Sequence, residues 1–168
     1  MKIAKQENGF FVVDGITREY PVYDFACKCC NKASVDESVL FALYFTEQCL
    51  GYPLHVNGCS RCFNYNTQIH GSARSAHLFD DQSPANAVDF ERKDKPYADI
   101  WNVAVCNFSR VGIYLSKYLA DDGSKQAYFH GDVKQPSLFW YRDASGYHYY
   151  KDPNACIKDF TEKVMKKI

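Results

Sequence analysis

Five histidines stand among the 168 residues: His55, His70, His77, His130 and His148. Two of them lie close to acids in patterns that could do chemistry. His77 falls in Ser75-Ala-His77, shortly before Ala85-Asn-Ala87-Val-Asp89. Strand alternation around Asp89 turns its carboxylate to the face opposite apolar Val88 and Phe90, as in a strand with one working face. His130 falls in Tyr128-Phe-His130-Gly-Asp132-Val, where a period of two puts His130 and Asp132 on one face. Imidazole and carboxylate suit a catalytic zinc, which takes three protein ligands and keeps one position open for water. The metal lowers the pKa of that water to about 7. An acid beside a ligand histidine serves either as a base or as a partner that orients the ring.

These stretches form a recognisable order. Ser75-x-His77, the spaced Ala85-x-Ala87-x-Asp89 and the late Phe129-His130-Gly-Asp132-Val resemble the zinc D-Ala-D-Ala carboxypeptidase family. That family carries S-x-H-x-x-G-x-A-x-D followed by a third-ligand histidine, often in a V-H-x-D-V setting. Phe25-Ala-Cys27-Lys-Cys29, Asn57-Gly-Cys-Ser-Arg61-x-x-Asn-x-Asn66 and Gly112-Ile-Tyr114 fit the same family, in the expected order. The resemblance implies a compact hedgehog/DD-peptidase-like fold and cleavage of D-alanine-containing peptidoglycan peptides, either at the terminal D-alanine or within a cross-link. It assigns Zn2+ to His77, Asp89 and His130. It places Arg61 against the substrate's carboxylate or carbonyl oxygen, a role that suits a permanently charged, forked guanidinium.

The chain departs from the family pattern in two ways. The usual gap between first histidine and aspartate is six residues, whereas eleven separate His77 from Asp89. The added stretch, with Asp80-Asp81-Gln-Ser-Pro84, reads as a polar loop beside the cleft, and added loop length costs little. The family's glycine in this motif is replaced by Ala85. In addition, many relatives place an acid three residues before the last histidine, where this chain has Ala127. Asp132 is then the nearest acid, as base or as the partner of His130. Two rival readings stay open: a non-catalytic, zinc-containing cell-wall-binding module of the same fold, and a cysteine-centred zinc or redox protein.

The elements that must position these residues are short. Gly9 to Val13 starts a strand closed by the Asp14-Gly15 turn. Ser34 to Glu37 reads as a capping box opening a helix whose apolar stripe runs Val39, Leu40, Leu43, Tyr44 and Leu50, with Gly51 as its stop. Leu54 to Val56, Ala87 to Phe90, Val111 to Leu115 and Ala127 to Val133 read as strands. The last two are joined by Asp121-Asp122-Gly123-Ser124. A helix is expected over Tyr97 to Phe108, and a hairpin over Phe139 to Arg142 and Tyr147 to Tyr150. Asp152-Pro153 opens a C-terminal helix. The sum is α+β, a small and mostly antiparallel sheet with flanking helices, in a single zinc peptidase domain over residues 1–168.

Composition excludes several classes. Lys plus Arg and Asp plus Glu both total 20, so no phosphate-tracking basic surface is expected and no nucleic-acid partner. The basic run Lys163, Lys166 and Lys167 is a favourable helix end. No segment has the length of a membrane span, and Met1 to Phe10 lacks an apolar signal core. Synthesis in the cytoplasm is therefore expected, with release to the cell wall by lysis if the substrate lies outside. A phage or prophage lysis enzyme and a host recycling enzyme both suit that setting, and the chain is expected to act as a monomer. Aromatics reach 16%, as a Tyr-rich core or as rings lining a ligand groove. Of the eight cysteines, Cys27, Cys29, Cys59 and Cys62 offer a C-x-C and a C-x-x-C, one knuckle where zinc ribbons present two. Reduced, mostly buried thiols are the favoured reading.

Overall fold

A computed structural model describes residues 2–119 and 125–166. The expected Asp121–Ser124 loop and Lys167 lie outside the described residues. Three short strands, β1 (Lys5–Glu7), β2 (Phe10–Val12) and β3 (Tyr20–Pro21), form an antiparallel sheet in sequence order. The one-turn helix α1 (Val22–Phe25) and the long helix α2 (Glu37–Leu50) follow. Then come β4 (His55–Gly58), α3 (Phe63–Gln68), β5 (Ala87–Glu91) and α4 (Tyr97–Asn107). The chain closes with β6 (Arg110–Leu119), β7 (Lys125–Asp132), β8 (Leu138–Asp143), β9 (Gly146–Tyr150), α5 (Pro153–Phe160) and a π-helical turn at Thr161–Met165.

The larger sheet runs β4-β5-β7-β6-β8-β9. Its pairings are antiparallel except β6 with β8. The expected α+β class is what the chain adopts, with a small antiparallel sheet beside this larger mixed one. Alternation splits the strands. Val88, Phe90, Val111, Ile113, Phe129, Phe139 and Tyr141 join Val39, Leu40 and Leu43 of α2 and Ile100, Trp101 and Ala104 of α4 in one buried core. Burying each of the Val, Leu, Ile and Phe side chains among them stabilises the fold by about 1.5–3 kcal/mol. The opposite face is left for polar residues.

Most expected elements form within a residue or two. Gly51 ends α2 in the left-handed region at φ +74°, where the missing Cβ removes the penalty. Asp152 caps α5 by accepting from the Asn154 amide. One cap differs. Ser34 does not start α2: Asp36 does, its carboxylate accepting from the Ser38 amide at 2.9 Å. The reason is tertiary, because Val35 bridges Ala85 and the Asp36 amide donates to the Ala85 carbonyl, drawing 34–36 out as extended chain. The strands β1 and β3 and the helices α1 and α3 carry too few residues for a periodic signal.

Candidate active site

Strand register builds the polar face. Asp89 of β5 stands opposite His130 of β7, and His130 stands opposite Gly112 of β6. Gly112 pairs with Trp140 of β8, and Trp140 with Tyr149 of β9. One row across the sheet therefore carries Asp89, His130, a gap at Gly112, Trp140 and Tyr149. The next row carries Glu91, Tyr128, Tyr114, Arg142 and Tyr147. On the other side of the row, Asp132 stands between Ala87 and Arg110.

His77 comes from outside the sheet. Its loop is strapped to the segment after β4: the Arg61 amide donates to the His77 carbonyl at 2.8 Å, and the Phe79 amide to the Arg61 carbonyl at 3.2 Å. Ser75 Oγ accepts from the His77 amide. The residues that lengthen the His77–Asp89 interval close on themselves. Asp80 accepts from the amides of Gln82 and Ser83 through one carboxylate oxygen, and its own amide donates to the Ser83 carbonyl. The Asn86 amide then returns to the Ala76 carbonyl. The long spacing is thus an excursion that rejoins the sheet, with Ala85 fully buried at the point of return.

Three donor atoms converge. His77 Nε2 lies 3.1 Å from Asp89 Oδ1 and 3.0 Å from His130 Nδ1, which lies 3.0 Å from the same oxygen. The far side of each group is fixed. His77 Nδ1 is 2.7 Å from the Cys59 carbonyl, which can only accept, so Nδ1 carries the proton and Nε2 presents a lone pair. His130 Nε2 lies 3.3 Å from Asp132 Oδ2, so that nitrogen donates. Asp89 Oδ2 accepts from Arg61 Nη2 at 2.8 Å.

Without a cation these acceptors must share a proton, and it settles on His130. Burial disfavours its charged form, but hydrogen bonds to Asp132 and Asp89 outweigh that and raise it to about 9. Burial lowers His77 against the pull of Asp89. Burial would raise Asp89, yet the two histidines hold it well below the usual carboxylate range.

A divalent metal fits in place of that proton. Tetrahedral ligand bonds of about 2.0–2.1 Å separate donor atoms by roughly 3.3 Å, close to the observed triangle. Its outer groups, the Cys59 carbonyl, Asp132 and Arg61, match the second layer that orients ligands in metal sites. His55, His70 and His148 are elsewhere: His148 stacks on Tyr141 with centroids 4.4 Å apart and bonds to Asp143.

Asp132 is 2% exposed and stands behind His130, on the side away from His77 and Asp89. Its second oxygen accepts from the Lys134 amide at 3.0 Å. Ala127 faces the hydrophobic core, so an acid at that position on this strand would enter the core. Arg61 touches Asp89 and borders a pocket of about 170 Å³ with Lys28, Tyr65 and Asp89. A larger cavity of about 650 Å³ between Phe41, Phe45, Asn107 and Lys134 contains no member of the triad.

Sequence reasoning passed over Trp140. Its ring lies 5.3 Å from that of His130 and its Nε1 donates to Tyr114 Oη at 2.7 Å. A Cβ on Gly112 would come within 2.5 Å of the same indole. Only cross-strand register reveals this contact; the Gly112-Ile-Tyr114 stretch was its one local sign.

The cysteines also differ from expectation. Three of the eight are buried, Cys27, Cys59 and Cys156, and four are exposed. Cys59 turns into the core and donates to the Ala87 carbonyl, which removes it from any grouping with Cys27. The group that forms is Cys27, Cys30 and Cys62, so Cys27-Lys-Cys-Cys30 supplies a C-x-x-C that the pairing with Cys29 had hidden. Burial pushes the Cys27 thiol up, but the amides of Cys62, Cys29 and Cys30 bring it down to about 7.

The family model described as Peptidase M15 matches residues 11–118, more than half of the chain. Neither the curated proteins nor the solved structures contain a match.

Proposed function

The chain belongs to the peptidase M15 family, and from that premise we propose that it is a zinc metallopeptidase hydrolysing peptidoglycan peptides, as a D-alanyl-D-alanine carboxypeptidase or an endolysin-type endopeptidase. The observation that carries this reading is the donor triangle of His77, Asp89 and His130, with edges of 3.0–3.1 Å and each group buttressed from behind. When bound, zinc supplies polarisation of the scissile carbonyl and a water acidified to about pKa 7.

The residues of the chain do the rest. His77 and His130 hold their lone pairs toward one point because Cys59 and Asp132 occupy the opposite nitrogens. Asp132 acts by positioning His130, which its burial and its distance behind the ring both support. Arg61 holds Asp89 with one nitrogen and keeps further N–H groups for a substrate carboxylate or an oxyanion. Tyr147 and Tyr149 expose apolar faces on the same side of the sheet as the stacked pair Tyr114 and Tyr128, a surface suited to an extended peptide. Synthesis in the cytoplasm and release at lysis complete the proposal. Among the described residues, no helix is long and apolar enough to cross a membrane.

Incubation of the zinc-loaded protein with defined muropeptides, followed by mass spectrometry, tests the reading. Loss of a terminal D-alanine or scission of a cross-link is expected, abolished by chelation and restored by zinc. Intact muropeptides in the presence of a fully loaded triad would overturn it and leave a binding module of the same fold.

A further inference from the structure

A second metal-ligating cluster lies apart from the triad and takes no part in the chemistry above. The thiols of Cys27, Cys30 and Cys62 lie within 4.8 Å of one another, from segments more than thirty residues apart in sequence. None of them is in a disulfide. The scale is that of thiolates around one zinc, where bonds of about 2.3 Å put sulfurs roughly 3.8 Å apart.

The backbone around them is arranged for thiolates. Residues 27–32 fold into a tight turn in which the Cys27 amide donates to the Lys32 carbonyl and the Asn31 amide to the Cys27 carbonyl. Asn31 follows the second cysteine of Cys27-x-x-Cys30 with φ +56°, the left-handed step that lets the turn fold back under its own sulfurs. The Cys62 amide donates to Cys27 Sγ at 3.3 Å, and Cys62 Sγ, capping α3, accepts from the Tyr65 amide at 3.4 Å. Amides aimed at sulfur stabilise the deprotonated, metal-binding form. Cys29, exposed in the same turn beside Cys30, is available as a fourth donor.

We propose that Cys27, Cys30 and Cys62, completed by Cys29, bind a structural zinc ion that clips the 27–32 turn to the loop entering α3. Closed four-thiolate sites of this kind hold folds together rather than catalyse. The consequence is local. Arg61 immediately precedes Cys62, and the Ser60 amide already donates to the Phe25 carbonyl. The clip therefore fixes the segment from which Arg61 reaches Asp89. This site does not depend on whether the triad turns over peptides.

Cobalt titration of the reduced, demetallated full chain tests it, because only thiolate ligands give cobalt an intense near-ultraviolet charge-transfer band. The wild type is expected to bind two cobalt ions per chain and to show that band. His77→Ala is expected to bind one and keep the band. Cys30→Ser, at an exposed position, and Cys62→Ser are expected to bind one and lose it, whereas Cys49→Ser and Cys106→Ser leave it unchanged. A reduced wild type without the band, or a band that survives both Cys30→Ser and Cys62→Ser, would overturn the proposal. Failure of peptide hydrolysis with the band intact would instead count against the triad reading alone.

Discussion

Nε2 of His77 and Nδ1 of His130 lie 3.0 Å apart, with ring centroids separated by 4.8 Å. Two imidazoles that present nitrogens to one point, beside a carboxylate oxygen, repel unless a proton or a cation stands among them. That relationship governs most of what can be measured on this protein.

In the proposed site, replacing either histidine removes one of three ligands and leaves two. His77→Ala and His130→Ala are expected to lose stoichiometric triad metal and at least ~10³-fold in hydrolysis, because the proposed zinc would no longer be held to acidify the attacking water. Metal content after gel filtration, alongside muropeptide turnover, checks this. Either variant hydrolysing at the wild-type rate would remove the triad from the mechanism.

Asp132→Asn separates positioning from proton transfer. If Asp132 orients His130, zinc affinity falls by about 10–100-fold while turnover at saturating zinc stays near the wild-type value. A collapse of kcat at saturating zinc, with affinity unchanged, would make Asp132 the base. The experiment needs a zinc titration of activity rather than a single assay.

The metal-free protein should respond to pH through His130. Its folded pKa of about 9 lies above the ordinary value of 6.5. Protonation of this ring therefore contributes stability that is fully present below about pH 6.5 and is lost as pH rises through about 9. Thermal melts of the metal-free chain are expected to drop across that window, and His130→Gln to flatten the drop. Zinc at the proposed site would compete for the same nitrogen, so its uptake near neutral pH should release protons.

Gly112→Ala tests the row of residues beside the proposed metal triad. The new Cβ would meet the Trp140 indole at 2.5 Å, and both groups are fixed in adjacent, hydrogen-bonded strands. A destabilisation of about 1–3 kcal/mol is expected in denaturant unfolding. Because Trp140 packs on His130, hydrolysis should fall as well. Wild-type stability and turnover would show that the indole moves aside freely.

Glu47 offers a control remote from the site. It is 3% exposed, accepts from Tyr20 Oη and from the Leu54 amide at 2.7 Å each, and pairs with Arg18. Glu47→Ala strands these three donors and is expected to cost about 3–5 kcal/mol. Triad metal content at low temperature should be unchanged, and a loss of less than ~1 kcal/mol would mean that water replaces the carboxylate.

Much of this protein was legible locally. Alternation and turn chemistry gave β5, β7 and the β8–β9 hairpin, because side-chain parity on a strand and the cost of a left-handed turn are properties of a few adjacent residues. The same parity set His130 and Asp132 on one face. The ordered motifs pointed to His77, Asp89 and Arg61 without saying how they meet. Only tertiary structure decided that the long interval before Asp89 folds into a closed excursion, and that Cys59 offers its carbonyl to His77 while its thiol enters the core. The same holds for Cys30, rather than Cys59, joining Cys27 and Cys62. It also set Asp36 instead of Ser34 as the cap of α2, and brought Trp140 over Gly112 onto His130. Each of these depends on register between segments tens of residues apart, and register is fixed by burying the whole apolar face at once, which no local pattern encodes.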